Sequence, residues 1–194
     1  MTTRLPQLIN GEFQQSQTDT WIPVTNPATQ EVLCEVPAAT AEEMESAIAS
    51  AREAFLEWRE TPVSERARVM LRYQHLLKEH HDEIAEVLAK ETGKVFADAK
   101  GDVWRGIDVV EHAANIPSLM MGETVDHVAR VIDSHSWPQP RCVCAGITPC
   151  HSPPMLPLWI VPMSIARAPT SLLTPPAQHP TPPTAPAPLL PPST

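Results

Sequence analysis

The side chains with the most chemistry to offer in the last third of this chain are Cys142, Cys144, Cys150 and His151. Thiols and imidazoles bind zinc, or act together as nucleophile and base. The spacing argues against zinc. A C-x-C followed by an adjacent Cys-His is not the paired C-x-x-C of structural sites. Separate thiols along one strand are the simpler reading, and no metal is expected. His80-His81-Asp82-Glu83 is a second ligand-rich run. Consecutive helical residues point to different faces, so the two histidines cannot easily share an ion. A solvated helix surface is expected there. Pro180-Thr181-Pro182-Pro183 and Pro183-Thr184-Ala185-Pro186 have the P-x-x-P form of polyproline ligands. They lack a nearby arginine to set orientation, and such patterns also arise by chance in proline-rich text.

These residues depend on elements that the sequence punctuates unevenly. Asn10-Gly11 between Leu8-Ile9 and Glu12-Phe13 predicts a hairpin. Glu31 to Val36 is a β-prone run that Pro37 ends. Thr40-Ala41-Glu42-Glu43 is a capping box, and Met44, Ala47, Ile48, Ala51, Phe55 and Trp58 continue it as an apolar stripe. Thr61-Pro62 restarts the chain with proline at a helix start. Val69, Leu76, Leu77, Ile84, Val87 and Leu88 predict one long helix, or two joined near His80, stopped by Gly93. A further helix is expected over 95–115. Gly101 and Gly106 inside it imply a closely packed neighbouring backbone, because glycine otherwise weakens a helix. Phe55, Trp58 and Trp104 are expected to be core anchors.

The composition divides the chain. All 23 acidic residues lie at or before Asp133, while 17 of the 23 prolines lie at or after Pro138. Beyond Asp133 only Arg141 and Arg167 carry charge, and the whole chain has a net charge of −9. An acidic surface repels phosphate backbones, so nucleic acid is not an expected partner. Met155 to Met163 is apolar but too short to cross a bilayer, and no membrane partner is expected. The first residues lack a signal-peptide core, and four cysteines then favour a reducing compartment: cytoplasm, or a matrix. The apolar helix stripes have no obvious sheet to lie on, so they must bury against more than this chain shows.

Several strings resemble the aldehyde dehydrogenases: Leu8 to Phe13, Asn26-Pro27-Ala28-Thr29, Ala54 to Trp58, and Glu91-Thr92-Gly93-Lys94. Arg68-Val69-Met70, Tyr73-Gln74, Asp98 to Gly106, Val110 to Ala113 and Leu119 to Glu123 resemble the CoA-acylating methylmalonate-semialdehyde branch. The resemblance implies an α/β fold, here its N-terminal part: a hairpin, helices and the start of the doubly wound NAD-binding domain. It also implies NAD as cofactor, CoA as co-substrate, a small-molecule aldehyde substrate and a homotetramer built through a β-flap. The family reaction runs through a cysteine thiolate and its thioester, with release of CO2 in this branch.

Val143 to Pro149 resembles the strand and turn that meet the nicotinamide side of NAD, so Thr148, Pro149 and Cys150 are the cofactor-binding candidates. The family's oxyanion asparagine stands here as His151. Its ribose-holding lysine and glutamate stand here as Thr174 and Ala177, and its Gly-Asn-Thr as Ala168-Pro169-Thr170. None of the cysteines occupies the nucleophile's place in the family order, which would lie past Thr194. Pro157-Leu158-Trp159, Pro162-Met163 and Ile165-Ala166 keep the register without a gap, a pattern of accumulated substitutions rather than a frameshift. The expected organisation is 1–150 as the N-terminal part, 151–174 as a degraded continuation of the NAD-binding domain, and 175–194 as a disordered Pro-rich tail. The expected function is a fragment of a methylmalonate-semialdehyde dehydrogenase, inactive as it stands. The alternatives are a CoA-independent aldehyde dehydrogenase fragment, or a non-enzymatic protein with a polyproline interaction tail.

Overall fold

A computed structural model describes residues 2–149 and 152–174. Cys150, His151, Ala177 and the expected tail therefore lie outside the described residues.

The chain opens with β1 (Gln7–Ile9) and β2 (Glu12–Gln14), an antiparallel hairpin turned by Asn10 and Gly11. A second antiparallel pair follows, β3 (Trp21–Thr25) and β4 (Val32–Pro37). Pro37 belongs to the strand and pairs with Trp21, so the strand ends one residue later than expected.

Helix α1 (Ala41–Trp58) starts on the predicted capping box. The Glu43 amide donates to Thr40 Oγ1 at 3.2 Å, and the Thr40 amide donates to Glu43 Oε2 at 2.9 Å. Ser16 Oγ and the Gln17 amide also donate to Glu43, at 2.8 and 2.7 Å, so the cap fastens the segment after β2 to the helix. Burial works to raise the Glu43 carboxyl, but these donors outweigh it and hold it below its ordinary range.

The next stretch resolves into two helices, α2 (Val63–Glu79) and α3 (His81–Thr92), meeting at His80. Pro62 is the residue before α2 rather than its first residue. Gly93 ends α3 in the left-handed region, as expected. Helix α4 (Phe96–Ala114) buries Ala99, Val103, Ile107 and Val110 completely. A single turn, α5 (Ile116–Leu119), leads to the wholly exposed hairpin β5 (Glu123–Ala129) and β6 (Ile132–Ser136).

The start of the doubly wound domain that the resemblance implies lies past the compositional break, and it gives the helix stripes the sheet they lacked. β7 (Val143–Ile147), α6 (Met155–Ala166) and β8 (Thr170–Thr174) form a parallel strand–helix–strand unit, with Val143 beside Thr170 and Ile147 beside Thr174. Trp58, Met70, Ile116, Val161, Ile165, Ala166 and Leu173 share one core, so the acidic helices lie on the uncharged unit. Helix α6 forms despite Pro162 because that proline is fully buried, and packing compensates for the backbone bond it removes.

Three side-chain expectations are also corrected. Trp104 is 49% exposed and no core anchor, whereas Phe55 and Trp58 are buried. Gly106 makes room for a side chain rather than a backbone: a Cβ there would lie 2.5 Å from Leu158 Cδ1. Gly101 has no such neighbour. Ile48, Leu76 and Val87 fall within the expected stripes yet stand exposed.

Candidate functional site

The carboxyl ends of adjacent parallel strands are where open α/β sheets bind nucleotides. Here those ends are Ile147 on β7 and Thr174 on β8. Thr148, the first residue past β7, is buried at 3% exposure, and Pro149 is exposed. Of the sequence candidates, the structure therefore describes Thr148 and Pro149 at the strand end. Cys150 and His151 are not described.

The turn is fastened to α4 by a polar network that the sequence reading did not anticipate. Ser152 is buried, and its hydroxyl donates to Asp102 Oδ2 at 3.2 Å. Lys94 Nζ reaches both partners, bonding to Asp102 Oδ2 and donating to Ser152 Oγ at 3.3 Å. Arg105 Nη1 closes the set on Asp102 Oδ1 at 2.8 Å. Burial raises the Asp102 carboxyl, but Lys94, Ser152 and Arg105 outweigh it and hold it below the usual carboxylate range. The anion is thus permanent near neutrality and acts as an anchor, not as a proton carrier. One sequence signal was available: Asp102 sits on the same face of α4 as buried Ala99, Val103 and Gly106. A charge on an apolar face needs a partner.

Other candidates fall into place around this end. His81 is not solvated as expected. Its side chain is 14% exposed, and its Nε2 lies 2.9 Å from the Lys100 carbonyl oxygen, docking α3 on α4. His80 remains on the surface beside Glu83. Cys142 is exposed and Cys144 half-buried on β7. Cys34 lies elsewhere, and burial first, then the Glu91 carboxylate, pushes its thiol pKa up, away from nucleophilic use. Among the described residues, one group with metal-ligand geometry exists: Asp126, His127 and Asp133 on the β5–β6 hairpin, all exposed.

Two features mark cost rather than chemistry. Arg66 is 4% exposed, and its Nε and Nη1 have no hydrogen-bond partner among the described residues. Ala168 has φ +80°, a left-handed conformation at the position where the resemblance places glycine.

Residues 13–188 match the model of the aldehyde dehydrogenase family. The chain is 50% identical over 174 residues to the probable acylating methylmalonate-semialdehyde/malonate-semialdehyde dehydrogenase, mitochondrial, of Dictyostelium discoideum. That alignment covers 90% of this chain and 33% of the relative. The crystal structure of methylmalonate-semialdehyde dehydrogenase from Oceanimonas doudoroffii matches with a TM-score of 0.85 and 40% identity, covering 97% of this chain and 37% of that one. A putative methylmalonate-semialdehyde dehydrogenase from Sinorhizobium meliloti, complexed with NAD, gives a TM-score of 0.86 at 34% identity, over 92% and 36%. The chain spans about a third of the length of the curated relatives it matches.

Proposed function

The chain belongs to the aldehyde dehydrogenase family, and from that premise we propose that it is the N-terminal part of an acylating methylmalonate-semialdehyde dehydrogenase. The reaction so assigned converts methylmalonate or malonate semialdehyde, with NAD and CoA, to propionyl-CoA or acetyl-CoA plus CO2. The observation that carries this reading is the parallel β7–α6–β8 unit, in which the turn that follows Ile147 is held to α4 by the bond between Ser152 and Asp102. Similarity to relatives bearing the acylating name supports the substrate class.

The strand ends fit a dinucleotide, and NAD, when bound, supplies the hydride acceptor. Thr148, Pro149 and Cys150 are the residues we assign to its nicotinamide side. The side chains for the ribose fit less well. Thr174 and Ala177 stand where the resemblance puts lysine and glutamate, and neither can replace both bonds. His151 in place of the oxyanion asparagine removes the amide that would hold developing negative charge. Lys94, Asp102 and Ser152 position the turn through their bonds to one another. Assembly as a homotetramer and a cytoplasmic or matrix location belong to the same reading; the Dictyostelium relative is named mitochondrial.

The chain by itself should not turn over, because none of Cys34, Cys142, Cys144 and Cys150 stands at the nucleophile's place. Purified residues 1–194, given methylmalonate semialdehyde, NAD and CoA, should form no NADH. CoA-dependent NADH from the pure chain would overturn that part of the reading.

A further inference from the structure

The two charged residues beyond Asp133 come together in space. Arg141, just before β7, and Arg167, just after α6, line one pocket of about 430 Å³. That volume suits a small ligand. No carboxylate lines it, and among the described residues neither guanidinium is in an ion pair with Asp or Glu. In a chain of net charge −9 this is a local reversal of sign.

The rest of the lining is amphipathic. Met120, Ile160 and Met163 present apolar surface. Ser164 adds a hydroxyl that already accepts from Ser171 Oγ at 2.8 Å, which leaves its own proton to donate. The carboxyl end of α6 opposes an anion with a partial charge of roughly −0.5, which two guanidiniums outweigh. Carbonyls of that last turn are already engaged by the Arg167 and Ala168 amides. The pocket lies at the amino-terminal end of β7, the opposite end from Ile147. It is therefore distinct from the nucleotide-facing edge and does not depend on the function proposed above.

We propose that this pocket binds a small organic oxyanion, a carboxylate or phosphate monoester on a short apolar chain. The head is held by Arg141, Arg167 and Ser164, and the body lies along Met120, Ile160 and Met163. Guanidinium forks match either head group, so the chemistry is shared and the probes must separate the sources.

Calorimetric titration of the full chain at low salt with hexanoate, hexyl phosphate and inorganic phosphate tests this. Either hexyl anion should saturate below about 10 mM, and the tighter one identifies the head group. Inorganic phosphate should bind at least tenfold more weakly. The double variant R141Q/R167Q should lose binding at least tenfold, while R141K/R167K, with charge kept, should retain part of it. Both arginines are exposed, and circular dichroism checks that the variants remain folded. Absence of saturation with both hexyl probes, equal binding of inorganic phosphate, or unchanged binding in R141Q/R167Q would each overturn the proposal.

Discussion

The indole nitrogen of Trp58 donates to the carbonyl oxygen of Ile165 at 2.9 Å, a buried bond across 107 positions of sequence. Trp58 ends the acidic helix α1, and Ile165 lies near the end of the uncharged helix α6. The abrupt change of composition at Asp133 is thus not a structural boundary. A second buried bond, from Thr170 Oγ1 to the Ala51 carbonyl at 2.6 Å, joins the same two regions.

Trp58→Phe keeps most of the apolar volume but leaves the Ile165 carbonyl unpaired. It should cost about 1–2 kcal/mol in urea unfolding, the range for an unmade buried bond. One cooperative transition is expected in both proteins. Separate transitions for the two halves, unchanged by the substitution, would show that they do not fold together.

The Asp102 network makes a pH-dependent prediction. Its carboxyl pKa is depressed in the folded chain. The stabilisation is therefore fully present above the unfolded carboxylate range near pH 4, and is lost as pH falls through the lower folded value. Ser152→Ala should cost about 1 kcal/mol, and Asp102→Asn about 3 kcal/mol by stranding Lys94. Urea midpoints measured from about pH 2.5 to 6 should show a shallower acid limb in the Asp102→Asn variant. An identical limb would remove Asp102 as a source of acid sensitivity.

Ala168 holds φ +80° while fully buried. A Cβ in that region costs roughly 1–2 kcal/mol, and glycine returns some of this as lost chain entropy. Ala168→Gly should therefore stabilise the chain by about 0.5–1 kcal/mol. A loss of stability would mean that the Ala168 methyl contacts outweigh the strain.

Arg66 is buried with its Nε and Nη1 unpaired among the described residues, and burial pushes its pKa down. Exchanging an uncompensated buried charge for an apolar side chain of similar length removes a desolvation cost. Arg66→Met should raise the urea midpoint by an amount equivalent to about 1–3 kcal/mol. A lowered midpoint would reveal an acceptor that holds the guanidinium in solution.

Legibility in the sequence followed the range of the interaction. The α1 cap was readable because Thr40 and Glu43 are three residues apart, and Asn10-Gly11 and Gly93 announced their turns equally locally. Helix α6 was not readable from periodicity, since Met155 to Ala166 is apolar on every side and interrupted by Pro157 and Pro162. Family register, rather than pattern, led past the break to that region. The Asp102–Ser152 contact spans 50 positions, and only the charge on the apolar face of α4 hinted at it. Trp104 misled because a large aromatic on a helix is usually buried. Here it stands at the surface, edge-on to His81 with ring centres 5.8 Å apart.

We propose that this chain is the N-terminal part of an acylating methylmalonate-semialdehyde dehydrogenase, a reading supported by relatives that bear that name. Its most direct test is a chimera in which the chain replaces the matching N-terminal segment of the Oceanimonas doudoroffii relative. Production of NADH and propionyl-CoA is then followed with methylmalonate semialdehyde. CoA-dependent turnover is expected, slow in the unaltered chimera and rising about 10²–10³-fold when His151→Asn restores the oxyanion amide. A folded chimera that oxidises the aldehyde to the free acid without CoA, or stays silent even with His151→Asn and Thr174→Lys together, would contradict it.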